Sequence, residues 1–160
     1  MKVRKFMRSL QGTLPFILFF PILIGSCGKD DCTGKITIPY SLLESFGGIG
    51  CSNDINDNTR GMNYVVVDQA TMESLLECDT LPQIDFNKYV LLIGSFESEL
   101  DLSYKSQAVI RDCETRFVTY RISYDSEGID TAMLVDYHAI IPKVPDGYVI
   151  DFEIEVWQPN

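Results

Sequence analysis

The chain of 160 residues has one histidine and one tryptophan, and its 13 Lys+Arg are outnumbered by 23 Asp+Glu. With His138 alone, acid–base or nucleophilic chemistry built on histidine must use that one side chain. None of the five cysteines is spaced as CxxC, so a zinc cluster lacks its usual ligand set. Gly47-Gly48-Ile49-Gly50 lacks both the lysine and the following helix of a phosphate-cradling loop. There is no apolar run of the roughly 20 residues that a membrane-spanning helix needs. The longest, Leu14 to Ile24, is eleven residues and contains Pro15 and Pro21. A content of 46% hydrophobic and 22% charged residues excludes disorder, collagen and coiled coil, and the length suits one domain.

What is present starts with a leader. Lys2, Arg4, Lys5 and Arg8 precede the apolar run, and Gly25-Ser26-Cys27 follows it, which is the layout of a signal peptide. Without residues 1–26 the chain keeps nine basic and 23 acidic side chains, a net charge of -14. That surface repels nucleic acid and anionic headgroups, so no nucleic-acid partner is expected. Ile24-Gly25-Ser26-Cys27 resembles the bacterial lipobox, and the resemblance implies lipidation of Cys27 as the mature N-terminus. More than one acyl chain there would anchor the protein stably. Lys29-Asp30-Asp31 resembles the export signal of surface-exposed Bacteroidetes-type lipoproteins. It implies an outer-membrane protein displayed at the cell surface.

Removing Cys27 from the count leaves Cys32, Cys51, Cys78 and Cys113, an even set that in an exported chain suggests two disulfides with three connectivities. Joining each weakly patterned segment to its nearest structured neighbour favours Cys32 with Cys51 and Cys78 with Cys113. No cofactor or metal is expected.

Residues 27–62 are rich in Gly, Ser, Asn and Asp and read as tether, one edge strand at Lys35 to Tyr40, and loop. Residues 63–160 read as a single α+β domain. Tyr64 to Val67 is a β-branched run; Asp68 to Cys78 has helical spacing, with Asp68 or Thr71 as cap. Lys88 to Phe96, with the unbroken apolar core Tyr89-Val90-Leu91-Leu92-Ile93, is expected as a central strand covered on both faces. Four further strands follow: Leu102 to Arg111, Arg116 to Tyr124, Thr131 to Ile141 and Tyr148 to Trp157. Turn clusters separate these four at Asp112 to Thr115, Asp125 to Asp130 and Pro142 to Gly147. The expectation is a five-to-six-stranded, mainly antiparallel meander with one helix on one face.

The element order from Tyr64 to Val156, with Ile84-Asp85-Phe86-Asn87-Lys88-Tyr89-Val90-Leu91, resembles small Bacteroidetes-type surface lipoproteins. More distantly it resembles the C-terminal domain of PrcB-like accessory subunits of secreted protease complexes. Ser95 to Ser103 departs from the second pattern, having no glycine after the central strand.

Five features bear on chemistry. Asp136 and His138 share a strand face and read as a solvated pair, so no catalytic residue and no enzyme is expected. Asp151, Glu153 and Glu155 read as a solvated acidic face. Ser52 to Asn58 alternates oxygen ligands, but an EF-hand from Asp54 would need glycine and glutamate where Thr59 and Val65 stand. Asp79-Thr80-Leu81 and Asp130-Thr131-Ala132 resemble O-glycosylation acceptors, Thr80 being the better placed. Tyr104, Tyr120, Tyr124, Tyr137, Tyr148 and Trp157 offer either core or a glycan- or peptide-binding face. Together these point to an outer-membrane, lipid-anchored, non-enzymatic interaction module. The alternative is an accessory or inhibitory subunit of a secreted hydrolase.

Overall fold

In the computed structural model, which describes residues 32–53 and 61–158, the chain begins with β1 (Lys35–Ile38), a 3-10 turn (Leu43–Phe46), β2 (Ser52–Asn53) and β3 (Asn63–Val66). The helix α1 (Gln69–Leu75) follows, then β4 (Leu76–Glu77), β5 (Tyr89–Asp112), β6 (Phe117–Pro142) and β7 (Val149–Trp157). One mixed sheet contains β1, β3, β5, β6 and β7, and β2 and β4 form a separate ribbon. The class is α+β. The central strand is β5: β6 lies along one edge, while β3 and β1 occupy successive stretches of the other.

The expected meander is corrected in two places. The four strands expected between Lys88 and Ile141 are two continuous ones, of 24 and 26 residues, paired along their length as one hairpin. The Asp125 to Asp130 segment is therefore strand and not turn. Register shifts at Ser98/Leu100, Asp101/Leu102 and Tyr104/Ser106 mark where the hairpin is irregular, and such bulges bend a ribbon and increase its twist. Secondly, β7 pairs parallel to the first half of β6, Phe117 with Val149 through Asp125 with Trp157.

The parallel pairing shows how far the hairpin bends. A flat 26-residue strand would be about 85 Å long, and parallel neighbours ordinarily need a crossover of about a dozen residues or more. Here Pro142 ends β6 and Val149 begins β7, so six residues return the chain to the start of β6. Six residues reach at most about 20 Å. The base of the hairpin must therefore lie over its tip, and the Val149 amide donates to Arg116 O at 2.9 Å to close the return.

Folding the ribbon over creates the larger core. Val90, Leu92, Tyr137, Ala139 and Ile141 from the base pack with Val109, Val118, Tyr120 and Ile122 from the tip, and Ile150, Phe152 and Ile154 of β7 complete it. Alternate residues of the base, Leu91, Ile93 and Ile140, point the other way and are covered by Met72, Leu76, Leu43 and Val66. The run Val90 to Ile93 is apolar throughout because each of its faces meets a different core.

Asp68 caps α1: its Oδ1 accepts from the Thr71 amide at 2.8 Å and its Oδ2 from the Thr71 hydroxyl at 2.9 Å. The helix is shorter than the span Asp68 to Cys78, because Leu76 turns extended and pairs with β2. The disulfides also differ from the favoured connectivity. They are Cys32–Cys113 and Cys51–Cys78. Strand register is the reason. Pairing of Lys35 with Asp112 brings Cys32 to the end of β5, where the Cys113 amide donates to Gly34 O at 2.9 Å. Pairing of Ser52 with Glu77 likewise sets Cys51 beside Cys78.

Candidate functional site

Ser41 pairs with Ile140 through two backbone hydrogen bonds of 2.8 and 2.9 Å, so residues 39–42 form a strap along the outer edge of β6. Tyr40 and Leu42, flanking that bridge, close one side of a cleft of about 240 Å³. Tyr104 and Gln107 of β5 and Tyr124 of β6 line it from the tip half of the ribbon. Asp136, Tyr137 and His138 line it from the base half. The cleft thus exists only because the ribbon folds over.

Its floor is rigid. Tyr124 and Tyr137 are each 4% exposed, and Phe96 stacks edge-on against Tyr124 at 5.6 Å between ring centroids. The Tyr137 hydroxyl donates to Asn63 Oδ1. Room for that bond comes from Gly94, whose hypothetical Cβ would lie 2.5 Å from both Asn63 Oδ1 and the Tyr137 hydroxyl. Gln107 Oε1 accepts from the buried Tyr120 hydroxyl at 2.8 Å, leaving the donor end of its amide for other partners. The rim is open: Tyr104 is 58% and Tyr40 is 37% exposed.

Electrostatically the cleft is quiet. Burial pushes the Tyr124 and Tyr137 hydroxyls up to about 12 and raises Tyr120 further, so these phenols stay protonated. Partial burial and then the neighbouring Tyr40 hold Tyr104 above its ordinary value. His138 is pulled below the usual histidine range by burial, against the opposing pull of Glu44 and Asp136. It is a neutral imidazole at neutral pH. Its Nε2 is buried with no hydrogen-bond partner among the described residues. Leaving such a nitrogen unsatisfied costs about 1–3 kcal/mol. Asp136 is the one carboxyl side chain among those lining the cleft.

The structure redistributes the residues singled out in the sequence. The aromatic set divides: Tyr120, Tyr124 and Tyr137 are buried, Tyr148 is half-buried, and Tyr104 and Trp157 are exposed. Three of the set, Tyr104, Tyr124 and Tyr137, meet at the cleft. Asp136 and His138 also reach it, although His138 is half-buried and not the solvated residue expected. Tyr40, Leu42 and Gln107 carried no sequence signal, since only the Ser41–Ile140 bridge and the folded ribbon bring them there. Glu153 and Glu155 are held by Arg121, at 2.9 and 3.3 Å, on the opposite, outward face of the tip half. Thr80 is exposed, its backbone bridged to Ile49.

Cys27, Lys29, Asp30 and Asp31 lie outside the described residues, as do positions 54–60 of the oxygen-rich segment. Among the described residues no three His, Cys, Asp or Glu side chains cluster as metal ligands, and no helix is long and apolar enough to cross a membrane. No family model matches the chain, and neither a curated protein nor a solved structure resembles it significantly.

Proposed function

We propose that the protein is a non-enzymatic binding module, held at the outer membrane by a lipid on Cys27 and presented at the cell surface through Lys29-Asp30-Asp31, with the tyrosine-lined cleft as its ligand site. The carrying observation is the cleft itself. Two exposed rings at its rim, a floor of buried tyrosines and the polar side chain of Gln107 form a concave surface of apolar faces and a few convergent polar groups, the usual composition of a ligand site. The anchor rests on the leader and lipobox-like residues of the sequence.

The anchor is tested by Cys27→Ser, which should release the protein in a carbonate wash, and by replacing Lys29, Asp30 and Asp31 with alanine, which should protect it from protease added to intact cells. Retention of the first variant, or equal digestion of wild type and the second, would remove that part of the reading. The site is tested with full-length protein carrying tyrosine-selective labels, titrated with polysaccharide and peptide fractions of the cell envelope. Shifts at Tyr40 and Tyr104 that vanish in Tyr104→Ala are expected. Absence of such shifts from every fraction, or a single hydrolase co-purifying stoichiometrically with both wild type and Tyr104→Ala, would replace this reading with the accessory-subunit one.

A further inference from the structure

We propose that the outer edge of β7 is a second docking surface, separate from the cleft, which takes an extended segment of another polypeptide whose apolar residues alternate with Lys or Arg. The edge is the first ground. β7 is the terminal strand of its sheet, and among the described residues it pairs with β6 alone. The Val149 amide donates to Arg116 O, so Val149 and every second residue after it bond β6. Ile150, Phe152, Ile154 and Val156 therefore turn their backbone amides and carbonyls to the other side. A row of such groups is a template for one more strand.

Length and shape single out this edge. β1 and β3 have four residues each, whereas β7 has nine, none of them buried. The usual obstacles to edge pairing are missing from it: β7 contains no proline, its nine pairs with β6 run without a register shift, and its inward row carries no charge.

The two faces of the strand define the occupant. Ile150, Phe152 and Ile154 pack against the larger core yet stay half-exposed, and Val156, opposite Tyr124, is exposed. Apolar side chains of an added strand would cover this row and leave water with it. On the outward face Asp151, Glu153 and Glu155 stand in line. One cation, Arg121, serves both glutamates, and Asp151 lies opposite Thr119. Lys105, at the end of the row, is engaged by Asp125 at 2.8 Å and by the Trp157 ring at 5.3 Å. The row is short of positive charge, and Lys or Arg at alternate positions of an added strand would supply it, because opposite charges across a strand pair attract. A second copy of β7 would instead bring three more carboxylates to that face, where like charges repel. The acids thus oppose self-pairing and select a basic partner.

The experiment uses the full chain in a non-ionic detergent and, as probe, a capped heptapeptide alternating valine with lysine. Amide hydrogen exchange of Ile150, Phe152, Ile154 and Val156 should slow as this peptide binds saturably. Its N-methylated form and the counterpart with glutamate in place of lysine should not slow it. Asp151→Lys should weaken the lysine peptide about fivefold, the effect of turning one cross-strand attraction into repulsion. Raising salt from about 0.1 M to 1 M should weaken it as well. Tyr104→Ala should bind it as the wild type does, which separates this edge from the cleft. Equal binding of the glutamate peptide would overturn the partner chemistry. Lysine-peptide binding that leaves the four amides exchanging as before would reduce it to adsorption on an acidic surface and overturn the docking edge. Absence of binding would also overturn the proposal. Amides already protected in the free protein would then assign the edge to a second copy if protection grows with concentration, and to this chain itself if it does not.

Discussion

Removing the two disulfides one at a time should destabilise the protein unequally, because they close loops of very different length. Cys32–Cys113 spans a separation of 81 residues and Cys51–Cys78 one of 27. On the chain-entropy model, freeing the unfolded state from these closures costs about 4.5 kcal/mol for the long loop and about 3.5 kcal/mol for the short one. Against a total stability of roughly 5–15 kcal/mol, either loss is large. The perturbations are the paired variants Cys32→Ala/Cys113→Ala and Cys51→Ala/Cys78→Ala, which leave no half-cystine behind. Urea melts should show both midpoints falling, further for the first pair, with the slope rising as the unfolded chain expands. Thiol titration in denaturant is the companion assay. Neither of those variants should expose a thiol, whereas Cys32→Ala/Cys51→Ala should expose two. If Cys32→Ala/Cys51→Ala titrates no thiol and Cys51→Ala/Cys78→Ala titrates two, the register argument that assigns the connectivity is refuted.

Substitutions at four further positions test the packing. Leu92, 0% exposed between the two halves of the ribbon, should lose about 2–5 kcal/mol on truncation to alanine. Glu153→Ala should stay within about 1 kcal/mol, since it and its partner Arg121 are both part-exposed and Arg121 also contacts Glu155; the reverse order in urea melts would invert the layers. Gly94→Ala must displace Tyr137 or Asn63 and should cost about 1–3 kcal/mol, seen as a lower urea midpoint together with shifted Tyr137 resonances; a neutral effect would deny the close approach. Burial lowers the His138 pKa in the folded state, so as pH falls below about 6.5 the unfolded chain takes up a proton first and stability drops until the folded value is reached. Thermal melts at pH 7 and pH 5 should show a larger loss for wild type than for His138→Gln, and equal losses would mean that His138 is solvated.

Much of the fold was legible because it depends on local pattern. Asp68 before a helical spacing marked the start of α1, and the unbroken run Tyr89 to Ile93 marked a strand with a core on either side. The alternation of Ile150, Phe152 and Ile154 with Asp151, Glu153 and Glu155 separated an inward from an outward face, as the structure has it. Asp125 to Asp130 misled for a physical reason. Polar, glycine-containing sequence marks a turn when the chain reverses, but the same residues also occur where a long hairpin bends without reversing.

Sequence alone thus located most strand segments, though not 97–101 or Asp125 to Asp130, and determined which face of the last strand is apolar, where the helix is capped, and that four cysteines remain to pair once Cys27 is set aside. These follow from side-chain period and turn chemistry, which act over a few residues. Tertiary structure alone decided the fold-back of the β5–β6 ribbon, the parallel docking of β7, the Cys32–Cys113 and Cys51–Cys78 pairing, and the meeting of Tyr40, Tyr104 and His138 around one cleft. Each depends on register between segments far apart in the chain. Register is set by how a whole apolar face finds its partner, and no short window of sequence contains both sides of that match.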